Sequence, residues 1–187
     1  MVDPEDFRSE PPKSARLPHE IAAVIFAIPL DYPNSKIKTV KDYLETTGEK
    51  LKAPPSFLRP AIREELISEG KAYLALYEAL VNVAKGDIND NTRNVLSTAP
   101  GFIGKVIASE RRDEMDFKED LRSPENFNQL VDNTKKCDDS RFPEESARAF
   151  ATSYAVDSQI RARQFEAVQS ELIALNKSLG IDRAKGK

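Results

Sequence analysis

The chain has 187 residues, of which 40% are hydrophobic and 32% charged, and its formal net charge is −3. That length fits one domain with tails and the apolar share fills a modest core, while the slight acidity argues against the broad basic face on which non-specific nucleic-acid binding depends. A single cysteine, Cys137, excludes an intramolecular disulfide framework and fits a reducing compartment. Lys135 and Lys136 would lower its thiol pKa, but Asp138 and Asp139 oppose them, so Cys137 reads as an ordinary loop or helix-end cysteine.

Residues 1–17 are polar and carry Pro4, Pro11 and Pro12, which predicts an extended arm outside the core. Pro18, His19, Glu20 and the apolar run 21–28 then predict a short buried helix. With Pro29 close behind, the run is too short to span a bilayer, which takes ~20 apolar residues. The acidic Asp3, Glu5, Asp6 and Glu10 before it are unlike the basic flank of a secretory signal. No membrane insertion and a cytoplasmic or otherwise intracellular location are the matching expectations.

A turn at 31–35 leads into Ile37, Val40, Tyr43, Leu44 and Leu51 at helical spacing, with Gly48 weakening the last turn and Ala53-Pro54-Pro55 ending it. The next helix starts between Ser56 and Pro60. Its apolar residues, from Ile62 to Val83, cover so much of the circumference that it is expected to be the central helix, with Gly70 permitting a close crossing or a kink. Between Asp87 and Asp120 the pattern predicts a short helix at Val95 and Leu96, a break at Pro100-Gly101, and a second helix from Phe102. That second helix becomes a solvated, mixed-sign segment from Glu110 to Arg122. Ser123-Pro124-Glu125 caps a short helix through Phe127, Leu130 and Val131, which ends before a loop at 137–141.

From Phe142 to Gly180 no internal glycine and only the leading Pro143 interrupt the chain, and the helix this predicts would run ~55 Å. Ala147, Ala151, Tyr154, Ser158, Arg161, Phe165, Val168, Leu172, Leu175 and Leu179 alternate at four and three residues, the spacing of a supercoiling seam. Ser158 and Arg161 interrupt it. The first half is therefore assigned to the protein's own bundle, and Phe165, Val168, Leu172, Leu175 and Leu179 are the candidate interface for another helix. The fold expected is all-α, an irregular bundle of about six helices. It divides into an arm at 1–17, a bundle at 18–141, a long helix at 142–180 packing on it, and a basic tail at 181–187.

Chemical motifs are sparse. Asp87, Asn89 and Asn91 begin like a calcium loop, but Thr92 and Thr98 stand where the turn glycine and the closing glutamate belong, so a helix-capping turn is the better reading. Gly101-Phe102-Ile103-Gly104 has the outline of a nucleic-acid GxxG loop, yet its large apolar centre suits close packing. Phosphate loops, nucleophile elbows and CxxC pairs are missing from the sequence, and His19 is its one histidine. No catalytic residue, cofactor or metal is therefore expected. Adjacent carboxylates such as Glu64 with Glu65, or Glu144 with Glu145, point different ways around a helix.

Arg111, Arg112, Arg148, Arg161 and Arg163 are the candidate RNA contacts, because the arginine fork suits phosphate. Asp157, Glu144 and Glu166 lie within a helical turn of some of them and favour salt bridges instead. The run from Ser146 through Phe150 and Tyr154 to Arg163 resembles the late core helices of coat proteins from flexuous filamentous RNA viruses. The likeness covers less than a quarter of the chain, and Ala151 and Thr152 stand where an acidic residue is expected after the phenylalanine. It implies an all-helical, arm-bearing protein that coats RNA as a filament.

Three functions follow in order. The first is a non-enzymatic structural or adaptor subunit of a larger assembly, associating through its C-terminal helix and arm by self-association or with a protein partner. The second is an RNA-coating capsid protein. The third is a small helical enzyme, which would need a polar pocket with converging carboxylates or arginines.

Overall fold

The computed structural model of the chain describes residues 15–137 and 141–181. The arm up to residue 14, the Cys137 side chain with residues 138–140, and the tail from 182 lie outside the described residues. Six helices are described: α1 (Pro18–Ala27), α2 (Val40–Lys52), α3 (Pro60–Lys85), α4 (Asp90–Arg122), α5 (Pro124–Cys137) and α6 (Pro143–Ser178). The all-α bundle and its long C-terminal helix are as the sequence predicts.

Local chemistry sets most of the ends. Glu20 in the first turn of α1 reaches back to accept the Leu17 N–H. Thr39 and Asp42 cap α2 reciprocally: Thr39 Oγ1 accepts the Asp42 N–H while Asp42 accepts the N–H groups of Lys38 and Thr39. Those bonds, that from Lys38 first, hold the Asp42 carboxyl below its usual range. Gly86 ends α3 at φ 78°. Asn89 then accepts the Thr92 N–H at 2.8 Å, so the calcium-like residues form the capping turn expected of them.

α2 and α3 cross closely at two glycines. A Cβ on Gly70 would lie 2.9 Å from the Gly48 carbonyl oxygen and 2.9 Å from the Lys52 nitrogen. Both are backbone atoms that cannot swing aside, so Gly70 marks a close crossing and not a kink.

The expected break at Pro100-Gly101 is absent. α4 runs straight through it for 33 residues. Pro100 lacks the N–H that would bond the Leu96 carbonyl one turn back. Asn176 of α6 supplies the missing donor, its Nδ2 lying 2.7 Å from Leu96 O, and Gln169 Nε2 donates to Pro100 O at 2.9 Å. The sequence-local reading fails here because the compensation comes from residues 69 and 80 positions away.

Those bonds also set the register of an antiparallel pair. Leu96 lies against Asn176, Pro100 against Gln169, Arg111 against Glu166 and Glu110 against Arg161. α4 and α6 thus run side by side along the molecule, α6 being ~54 Å long for its 36 residues. One end, the body, buries Ile21 and Ile25 of α1, Val40 and Leu44 of α2, Leu76 and Leu80 of α3, and Leu96 and Ile103 of α4. At the other end, the tip, the second half of α4 and the first half of α6 are joined by α5.

Two further expectations are corrected. α3 is not the central helix: Ile62 is exposed and Leu66 and Ile67 only half-buried, because α2 covers α3 from Gly70 onward. The centre belongs to α6. Phe165, Val168, Leu172 and Leu175, the stripe predicted to await another helix, are all 0% exposed within the chain's own core, and Leu179 packs partly buried against it. Both halves of the seam therefore face the chain's own helices: α1, with Tyr43 of α2 against Phe165, packs on the C-terminal half of α6, and α5 packs on the N-terminal half beside α4, as expected of that half. In the N-terminal half the buried positions are Ala147, Ala151, Ala155, Ser158 and Ala162, so Tyr154 and Arg161 of the predicted seam lie to one side.

Candidate functional sites

The five candidate arginines do not come together as one basic groove. Arg161 is drawn into the protein. Its Nε donates to Glu110 Oε1 at 3.0 Å, Nη1 donates to Asp31 O at 3.0 Å, Nη2 donates to Ser158 Oγ, and its guanidinium lies 4.7 Å from the centre of the Tyr32 ring. Burial, the largest single influence, would weaken its positive charge, but the Glu110 bond together with the charge of Glu110 and the influence of Tyr32 and Asp157 outweighs it and holds the guanidinium above its usual range. Arg111 bridges Glu166 and Glu114, at 2.8 and 3.2 Å. Arg148 stacks 4.8 Å from the Phe127 ring. Arg112 and Arg163 are exposed on α4 and α6. The sequence points to helix-turn neighbours as partners, yet the ion pairs of Arg161 with Glu110 and Arg111 with Glu166 join α4 to α6.

Glu110 is the hinge of a second site that sequence reasoning missed. Beside it α2, α3 and α4 enclose a cleft of about 640 Å³. Tyr43 and Thr47 of α2, Glu65, Ser68, Glu69 and Tyr73 of α3, and Phe102, Lys105, Ser109 and Glu110 of α4 line it. Tyr43 and Tyr73 share a hydroxyl–hydroxyl bond of 2.9 Å. Their rings meet edge to face at 5.3 Å, Phe102 continues the row 4.7 Å from Tyr73, and Tyr32 stacks on Tyr43 at 5.7 Å. Burial, together with the Glu110 charge, keeps these phenols neutral. It lifts Tyr43 and Tyr32 well above the ordinary phenol range and pushes Tyr73 up to about 12, against the bond from Tyr43. A smaller groove of about 300 Å³, lined by Leu76, Val95, Thr98 and Ala99, shares the Ala72 and Phe102 walls.

In sequence these residues are scattered from Tyr43 to Glu110, and the polar ones among them read as ordinary helix-surface groups. Only the placing of Tyr43 and Tyr73 on two apolar faces hints at a buried polar pair. Glu65, Glu69 and Glu110 line the same cleft, but among the described residues none of them bonds a serine or threonine hydroxyl that could serve as a nucleophile. Among those residues no cluster of histidine, cysteine, aspartate and glutamate is placed to hold a metal ion.

At the tip, Phe117 of α4 meets Phe150 and Tyr154 of α6. Phe150 and Tyr154 are 4.4 Å apart, and Phe117 is 5.2 Å from Tyr154 and 6.2 Å from Phe150. Phe150 is 43% and Tyr154 45% exposed. Phe150, Tyr154, Asp157 and Arg161 follow one another at four, three and four residues, so they share one edge of α6. At Arg161 that edge is covered by Asp31 and Tyr32; at the aromatic pair it is half open.

Compared with known protein families, curated proteins and solved structures, the chain matches none. No described helix is long and apolar enough to cross a membrane.

Proposed function

We propose that this chain is a non-enzymatic structural subunit that assembles with copies of itself through the open edge at the tip, and not through the buried C-terminal stripe. The observation that carries this reading is the half-exposed cluster of Phe117, Phe150 and Tyr154. Phe150 and Tyr154 each leave roughly 90 Å² uncovered, an area whose burial stabilises by about 2 kcal/mol per residue. Aromatic anchors of this kind carry most of the binding energy in protein interfaces. A second copy is the partner chosen because a two-fold arrangement would set aromatic rings against aromatic rings and bury the same patch twice. The mixed-sign run from Glu110 to Arg122 beside it offers each copy charges of both signs. An intracellular setting belongs to the same proposal and is supported by the single cysteine.

Light scattering at micromolar concentration tests it. The chain is expected to exceed the monomer mass, and the F150E/Y154E variant is expected to be monomeric with unchanged helical circular dichroism. A monodisperse wild-type monomer, or a double variant that assembles like wild type, overturns the reading.

A further inference from the structure

Glu110 carries an unanswered acceptor. Its residue is 8% exposed, Oε1 is engaged by Arg161, and Oε2 is buried with no hydrogen-bond partner among the described residues. A buried carboxylate oxygen without a donor is costly, so a structure that keeps one invites a donor from outside. Glu110 lines the α2–α3–α4 cleft, where Glu65 and Glu69 stand against the single cation Lys105. The cleft is therefore acidic at one end. Its other end adjoins the groove of Leu76, Val95 and Ala99 across the shared Phe102 wall, where the lining turns apolar.

From this we infer that the cleft binds a small amphiphilic amine, with its ammonium group between Glu110 and Glu69 and its alkyl or aryl body along the Phe102 wall toward Leu76. The ammonium brings three N–H donors and a positive charge to a site with surplus acceptors, and the faces of Tyr73 and Phe102 favour the same charge. The two neighbouring volumes, about 640 and 300 Å³, are each within the range that small-molecule sites occupy. A carboxylate-bearing amphiphile would meet like charge at the acidic end, and a short hydrophilic amine would leave the apolar end unfilled.

Calorimetric titration of the full chain with octylamine, octanol, ethylamine and octanoate separates these contributions. Octylamine is expected to bind with a dissociation constant on the order of 100 µM, and the other three at least ~10-fold more weakly. Glu69→Gln, on the outer wall of the cleft, should weaken octylamine by about 5-fold, and Glu110→Gln by about 10-fold if circular dichroism shows it folded. Aromatic NMR resonances of Tyr43 and Tyr73 should shift on binding, and those of Tyr154 at the tip should not. Equal affinity for octylamine and octanol would overturn the inference. So would an unchanged affinity in Glu69→Gln, shifts confined to Tyr154, or no binding at millimolar ligand, which is the result expected if water satisfies Oε2.

Discussion

The body and the tip are built on the same two helices and held together in different ways. In the body, α4 and α6 meet through large side chains, Leu96 and Ile103 against Phe165, Val168, Leu172 and Leu175, and three more helices close over them. In the tip the contact is Ala147, Ala151, Ala155, Ser158 and Ala162, with buried Glu110 and Glu114 opposite. The contrast shows what each packing requires. Large apolar side chains need several neighbouring helices to remove their surface from water, whereas alanines let two backbones approach until little surface is left to cover. Charged side chains then bridge the flanks, as in the Arg111 pairs with Glu166 and Glu114.

The sharpest way to break the contrast is to put charge on α6 in each region. L172E/L175E buries two carboxylates in the body at several kcal/mol each, against a total stability of about 5–15 kcal/mol for a domain, so the chain should unfold. Loss of cooperative thermal unfolding by calorimetry checks this; a folded L172E/L175E variant would mean that the stripe is not core. The same number of charges at Phe150 and Tyr154 should leave folding intact.

A smaller effect is expected at the boundary between the regions. Arg161→Ala leaves Glu110 buried without its cation, which should destabilise by about 3 kcal/mol in urea titration. A change under about 0.5 kcal/mol would show that the pair is solvated and adds nothing.

Smallest is the repair of the proline. Asn176→Ala strips Leu96 O of its donor and should cost about 1–3 kcal/mol. With Pro100→Ala as well, the backbone N–H gained at that position can bond Leu96 O, and the double variant should recover about 1 kcal/mol of that loss. Strict additivity of the two changes would contradict the compensation.

The sequence makes the body legible in its elements and misleads about their partners. Period and prolines locate α1, α2, α3 and α6 closely, since Pro18, Pro54, Pro60 and Pro143 act on their own helix. A heptad stripe records only that one face is apolar, and an internal bundle produces the same record as an external partner, which is why the stripe from Phe165 to Leu175 reads as facing outward. α4 is illegible as one helix because a mid-helix proline is a local stop unless a remote side chain answers it, and Asn176 carries no mark of that task. The cleft is illegible for a similar reason: Glu69 and Glu110 belong to different helices, and the Gly48–Gly70 crossing with the packing of α3 on α4 brings their walls together.

The register of α4 against α6 has a consequence for the order in which the protein can be made. A chain emerging from synthesis at about 5–20 residues per second presents α1 to α4 first, with Leu96 and Ile103 of α4 still lacking the α6 side chains that share their core. Phe165, Val168, Leu172 and Leu175 arrive only after α5 and the alanine half of α6. For those seconds the nascent chain displays a wide apolar surface, with a proline-weakened α4 whose Leu96 carbonyl has no donor yet. Completion of the core thus awaits the last described helix, and a nascent chain halted near Arg161 would leave the α6-facing side of α4 uncovered.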